Sequence, residues 1–217
     1  MRIKRVGQLA AVIFLFFTVA LAGCTMHVPM HTTVPDLQVS NKIPLRAALL
    51  ISEELRAFMF RGNPESFTGG GNEFVFPLGG QLEKAAQDAF SQIFRQVTVV
   101  RARPHAKDVE ILVEPGIVDF HFRFDQLSYA GFAMAAVAKI RVKVTLTDGR
   151  VAVWARDVES PEERSGPWAI TFDVGWHQGN AASKALAFAL KEIAAEASKA
   201  PELWVLADKV RTERGGL

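Results

Sequence analysis

The 217-residue chain holds one cysteine, Cys24. An intramolecular disulfide is therefore excluded, as is any Cys-x-x-Cys site for zinc or redox cycling. Long hydrophobic runs are also lacking. The longest, Leu9 to Leu21, falls short of the roughly 20 residues that a membrane-crossing helix needs. Neither sign of charge dominates, with 25 Lys and Arg against 23 Asp and Glu, which excludes the basic footprint of a non-specific nucleic-acid binder. No repeat recurs at a fixed period. The five histidines, His27, His31, His105, His121 and His177, are scattered, and H-E-x-x-H is absent. Thr68-Gly69-Gly70-Gly71 is not followed by Gly-Lys-Ser/Thr, so it reads as a flexible loop rather than a phosphate cradle. There is no G-x-S-x-G elbow, although a Ser-His-Asp site assembled across sequence distance would leave no such mark. Glu53-Glu54 and Glu162-Glu163 are paired carboxylates in polar surroundings that suit exposed turns. Neither catalysis nor a cofactor is expected.

What is present starts at the amino terminus. Arg2, Lys4 and Arg5 precede the apolar run with no acid among them, and Ala22 and Gly23 follow it. That order describes a secretory signal peptide. Leu21-Ala22-Gly23-Cys24 resembles the lipobox of bacterial lipoproteins. In that family the cysteine sulfur is diacylated, the signal is cut before it, and the new amino terminus is acylated as a rule. The resemblance makes residues 1–23 a signal peptide and Cys24 a lipid anchor rather than a nucleophile. Each buried methylene contributes about 0.8 kcal/mol and one chain anchors only marginally, so several acyl chains matter. An ordinary signal followed by an incidental cysteine is the alternative, and it leaves an odd secreted thiol unexplained. Thr25 stands where the enterobacterial sorting pattern has Asp for inner-membrane retention. The resemblance thus implies the outer membrane, with the protein facing the periplasm. Without Arg2, Lys4 and Arg5, 22 basic residues face 23 acidic ones, and the mature chain is nearly neutral.

Residues 24–43, with Pro29 and Pro35 among Thr, His, Ser and Asn, read as a flexible tether. Residues 44–217 suffice for one domain with a proper core. Within the tether, Met26, His27, Met30 and His31 are thioether and imidazole donors of the kind that suits copper. Pro29 breaks helical spacing there and no cage is preorganised, so no metal site is expected. Leu45–Ile51 predicts a strand, and Ala57–Phe60 extends it or forms a second. Leu82, Ala85, Ala86, Ala89, Phe90, Ile93 and Phe94 predict a helix over Gln81–Gln96, opened by Gly79 and Gly80. Val97–Val100 predicts the next strand. In Asp108–Asp125, Val118, Phe120, Phe122 and Phe124 alternate with Asp119, His121, Arg123 and Asp125, with a break expected at Pro115-Gly116.

Asp148-Gly149 predicts a type I′ hairpin over Ala138–Val158. Its register pairs Leu146 with Val151, Val144 with Val153 and Val142 with Ala155 on one face. The other face pairs Thr145 with Ala152, Lys143 with Trp154 and Arg141 with Arg156. Helices are expected over Ala181–Lys199, capped by Asn180, and from Pro201 to about Arg214. The predicted fold is α+β, a mixed, mainly antiparallel β-sheet with helices packed on one face. This element order and the phrase FPLGGQLEKAAQDAF resemble small outer-membrane lipoproteins of the YajG, LptE and LpoB kind. No functional residue comes with that resemblance.

Two surfaces are candidates for partner binding. The first is the polar hairpin face with Trp154, Arg141, Lys143 and Arg156, beside His121 and Arg123. Facing Arg141 and Arg156 repel, so Asp119, Asp125, Asp157 or a partner must supply a carboxylate. Trp154 beside Lys143 is either a cation–π pair on a solvated face or an interface anchor. The second is Leu127–Val137 (LSYAGFAMAAV). It is either a buried turn and strand start, or a docking loop anchored by Tyr129, Phe132 and Met134. The expected function is a non-catalytic, lipid-anchored periplasmic lipoprotein that binds another envelope protein as assembly factor or regulator. The alternative is a lipid or lipopolysaccharide transport accessory with an apolar cleft lined by Phe120, Phe122, Phe124 and Phe90.

Overall fold

The computed structural model describes residues 25–105, 108–126, 133–169 and 173–215. Strand β2 (Ile43–Leu50) is buried on alternate residues at first and on both faces towards its end, as suits a strand with neighbours on both sides. Those neighbours are β5 (Phe94–Val100) and the start of β6 (Ile111–Gln126), both parallel to it. Between β2 and β5 the chain makes a one-turn helix α1 (Glu53–Arg56) and a hairpin of β3 (Phe60–Gly62) and β4 (Glu73–Phe76). Helix α2 (Leu78–Ile93) follows. Its predicted stripe is buried from Leu82 to Ile93. Gly79 sits in its first turn, where a Cβ would lie 1.9 Å from the Leu55 carbonyl oxygen.

The large sheet runs β5-β2-β6-β7-β8, with β7 (Ala133–Thr147), β8 (Ala152–Glu159) and β9 (Glu163–Ala169), the last also beside β7. This is the predicted α+β class, with a mainly antiparallel sheet. The β6–β7 ladder extends from Leu112 opposite Thr147 to Gln126 opposite Met134. One bulge interrupts it between Ile117 and Asp119, not at Pro115-Gly116 as expected. The reason is a change of parity. Val113 and Ile117 face Leu146 and Val142, whereas Phe120, Phe122 and Phe124 face Ile140, Ala138 and Ala136. One extra residue keeps both apolar sets against the same side of β7. Val118 is that residue and lies half exposed instead of joining the phenylalanines.

The β7–β8 hairpin forms, but its register differs from the predicted one. Leu146 pairs with Trp154, Val144 with Arg156, and Arg141 with Glu159. The Asp148 carboxylate accepts from the Arg150 and Val151 amides, at 3.0 and 2.9 Å, and the Asp148 amide donates to the Val151 carbonyl. The turn is therefore longer than two residues. The partner of Leu146 moves from Val151 to Trp154, an odd slip that exchanges the two faces of β8. Helix α3 (Val174–Lys199) also starts before the predicted Ala181, after Asp173 at φ 59°. Asn180 lies inside it rather than capping it. Helix α4 (Pro201–Gly215) is where Pro201 predicted it.

The predicted tether is part of the domain. Thr25–His27 forms β1, parallel to β4, with Thr25 opposite Glu73. Val28, Met30, Thr32 and Val34 are buried, while Pro29, His31, Thr33 and Pro35 are exposed. The alternation describes an extended segment with one apolar face. It lies across the helices, with His31 N bonded to Ser183 Oγ (3.1 Å), Thr32 N to Gln81 Oε1 (2.9 Å) and Leu37 N to Gln92 Oε1 (2.7 Å). The copper-type donors are split by the same alternation: Met30 is in the core, His27 and His31 outside. At Gly179 of α3 a Cβ would lie 1.7 Å from the Pro29 carbonyl oxygen. Gly179→Ala should therefore destabilise the domain by about 3 kcal/mol in urea unfolding and speed proteolysis within residues 28–43. Gly71→Ala, with open space around it, should change neither.

Candidate functional site

The β6–β7–β8 sheet has a dry face and a charged face. On the charged side Asp119 lies opposite Arg141, His121 opposite Lys139, Arg141 opposite Glu159, and Lys143 opposite Asp157. Strand alternation brings these residues out together because the intervening positions are apolar. A shallow cavity of about 300 Å³ opens on this face, with Val137 on its floor and Glu65, His121, Arg123, Lys139 and Glu162 around it.

Hydrogen bonds organise the charges into forks and clamps. His121 is held at both ring nitrogens, Nδ1 by Glu65 and Nε2 by Asp119 at 2.7 Å. The two carboxylates, Glu65 first, raise the imidazole above its ordinary value. The Asp119 carboxyl is lowered, chiefly by His121 and also by the Phe120 amide. Arg123 donates two bonds to Glu162, at 2.7 and 2.9 Å, and two to Asp125, at 2.8 and 3.4 Å. It holds the Glu162 carboxyl below the usual range. Arg164 also reaches Asp125, at 2.7 Å. Arg141 grips Asp157 with bonds of 2.8 and 2.9 Å, which lowers the Asp157 carboxyl. Such exposed pairs contribute about 0–1 kcal/mol each. Their effect is to present a patterned, nearly neutral surface.

The predicted site residues do not all meet here. Arg141 and Lys143 do, and Asp157 is one of the three carboxylates expected to offset Arg141. Arg156 does not face Arg141. It sits opposite Val144 and binds Glu196 of α3 at 2.6 Å. Trp154 is not beside Lys143 either, but packs partly buried against the core opposite Leu146. Both corrections follow from the odd register slip. Met134 is buried in the start of β7, 6% exposed, so it is no exposed anchor. Cys24, Tyr129 and Phe132 lie outside the described residues. The phenylalanines suggested as cleft lining fill the core instead. Phe120 and Phe122 meet Phe60, Phe74 and Phe76 edge to face, Phe124 meets Phe74 at a tilt, and Phe90 stacks on Phe94. Glu65 was missed, because it comes from the β3–β4 loop and nothing local ties it to His121.

One serine–histidine contact forms across sequence distance. Ser165 Oγ of β9 and His177 Nδ1 share a hydrogen bond of 3.0 Å, and Asn180 Nδ2 donates to Ser165 Oγ at 3.2 Å. Burial lowers the His177 imidazole, which favours the neutral form. Ser165 is 4% exposed, so this network ties α3 to β9 rather than presenting a nucleophile.

No family model and no curated protein matches the chain. Among solved structures it is similar to a DUF330-family protein from Xanthomonas campestris, at 13% identity and a TM-score of 0.45, over 88% of this chain and 99% of that one. It is also similar to the PelC dodecamer protein of Paraburkholderia phytofirmans, at 11% identity and 0.39, over 76% and 92%. A minor lipoprotein from Acinetobacter baumannii matches at 7% identity and 0.32, over 73% and 91%. What this chain binds therefore has to be argued from its own surfaces.

The two histidines should titrate on opposite sides of the ordinary value of about 6.5 when followed by nitrogen-detected NMR, His121 above it and His177 below. Glu65→Gln should lower His121 and leave His177 in place. For His121 the stabilisation is present below about pH 6.5 and lost as pH rises through the raised folded value. For His177 the unfolded chain takes up the proton first, so stability falls as pH drops below about 6.5.

Proposed function

We propose that this chain is a bacterial outer-membrane lipoprotein, held by acylated Cys24, that binds another cell-envelope protein as an assembly factor or regulator. The observation that carries the reading is the position of the lipobox cysteine. Thr25, its immediate neighbour, is already paired in β1 opposite Glu73, so the folded domain begins at the anchor. Among the described residues no helix is long and apolar enough to cross a membrane. The charged face of β6–β8 is the proposed contact surface. Its half-exposed Arg141 and its neighbour Lys143 offer complementarity of the kind that sets specificity and orientation. The groups on this face, those around its shallow cavity included, hold one another in ion pairs, and the proposed role is non-catalytic.

Cys24→Ser should abolish the mass increment of acylation and move the protein from the membrane to the soluble fraction. A photo-crosslinking residue at Lys143 should capture an envelope protein in cells, and Arg141→Glu should abolish that adduct. Membrane retention of the serine variant would overturn the anchor. Correct fractionation without a Lys143 adduct would overturn the surface.

A further inference from the structure

We infer that the end of the domain that carries Thr25 is a second, non-covalent membrane contact, with Phe67 inserted into the lipid and Trp176 at headgroup level. The inference rests on the reading of Cys24 as the acylated anchor. Consecutive Cα atoms are about 3.8 Å apart, so the acyl chains must leave the protein within one residue of Thr25. What lies beside Thr25 is therefore held against the bilayer.

Several elements converge there. Thr25 Oγ1 donates to Glu73 at 3.4 Å, and Glu73 closes the loop that leaves β3 at Gly62. Phe67 lies in that loop with its side chain fully exposed. Asn63 Nδ2 braces the loop with bonds to the carbonyls of Gly70 and Asn72, at 3.0 and 2.9 Å. Ser66 Oγ accepts from the Phe124 amide at 2.9 Å, which fixes the loop to the end of β6. The ring is thus presented by a held loop rather than left over from a poor core. Helix α3 begins at the same end, since the Cβ position of Gly175 lies 3.6 Å from the His27 carbonyl oxygen. Trp176, next to it, is 51% exposed.

A fully exposed phenylalanine and a half-exposed tryptophan at the attachment end suit the two depths of an interface. Apolar groups enter about 5–10 Å, and tryptophan sits at the headgroup level. Two of the acids nearby are paired, Glu73 with Arg61 at 3.5 Å and Asp125 with Arg123 and Arg164, while Asp173, three residues before Trp176, is exposed. The other exposed apolar side chains near a chain end, Val151 after the β7–β8 turn and Val205 on α4, belong to the opposite pole.

The test uses the acylated mature protein in vesicles of phosphatidylethanolamine and phosphatidylglycerol. A polarity-sensitive fluorophore is placed through Phe67→Cys and, in a separate variant, through Val151→Cys. Lipids brominated along the acyl chains should quench the probe at position 67 and not the one at 151, and iodide in the water should do the reverse. Trp176→Phe should remove brominated-lipid quenching from the intrinsic tryptophan emission. A vesicle-bound protein whose position-67 probe is quenched by iodide alone overturns the membrane contact while leaving the anchor intact. Protection of that probe from both quenchers means that a second copy or a partner protein covers the loop, and also overturns it. An intact mass without acylation at Cys24 overturns the anchor and this inference with it.

Discussion

The rings of Phe60, Phe74 and Phe76 on the small sheet lock edge-on into Phe120 and Phe122 of the large one, with centroids as close as 4.8 Å, and Phe124 packs at a tilt on Phe74. Each such pair contributes about 0.5–1.5 kcal/mol beyond its burial. The geometry matters more than the sum. It lays Phe74 and Phe76 of β4 against the phenylalanines of β6, and it thereby decides where β1 can pair. The place of Thr25 follows from β1, and with it the proposed attachment point. The same packing closes the space that a carrier protein would keep open.

The bulge at Val118 makes that cluster compatible with the rest of the sheet. Upstream of it the odd-numbered residues of β6 face the core, and downstream the even-numbered ones do. Without the extra residue the three phenylalanines would turn to solvent and Asp119, His121 and Arg123 would turn inward. A buried, unpaired charge is far more costly than an exposed one. The dry face and the charged face are therefore two outcomes of a single backbone adjustment.

The proposed attachment end and the β7–β8 turn stand at opposite ends of a long strand. Strand β7 has 15 residues, and at about 3.3 Å per residue it spans about 45 Å. With Thr25 at the bilayer, the charged face runs away from the membrane along the length of the domain. The segment that follows Cys24 does not act as a spacer, because it is bonded to Gln81, Gln92 and Ser183. In the proposed arrangement the fold sets the orientation of the domain relative to the lipid, with the polar sheet face turned sideways.

Local pattern alone made much of the chain legible. Helix α2, strands β2 and β5 and the alternation of β6 follow from apolar pattern, which any helix or strand with a buried face must show, and Pro201 marks the start of helix α4. The burial of Val28, Met30, Thr32 and Val34 was also written as an alternation, yet the prolines and the missing strand partner disguised it. What only the tertiary structure decided are the relations between distant segments. The β7–β8 register depended on how the Asp148 carboxylate folds its turn, and one odd slip moved Trp154 and Arg156 to the helix side. The clamp on His121 depended on Glu65, 56 residues away. The company that Phe67 keeps with Thr25 depended on six phenylalanines finding one another. A sequence records the period of each element, but the pairing of elements is a packing solution reached by the whole chain at once.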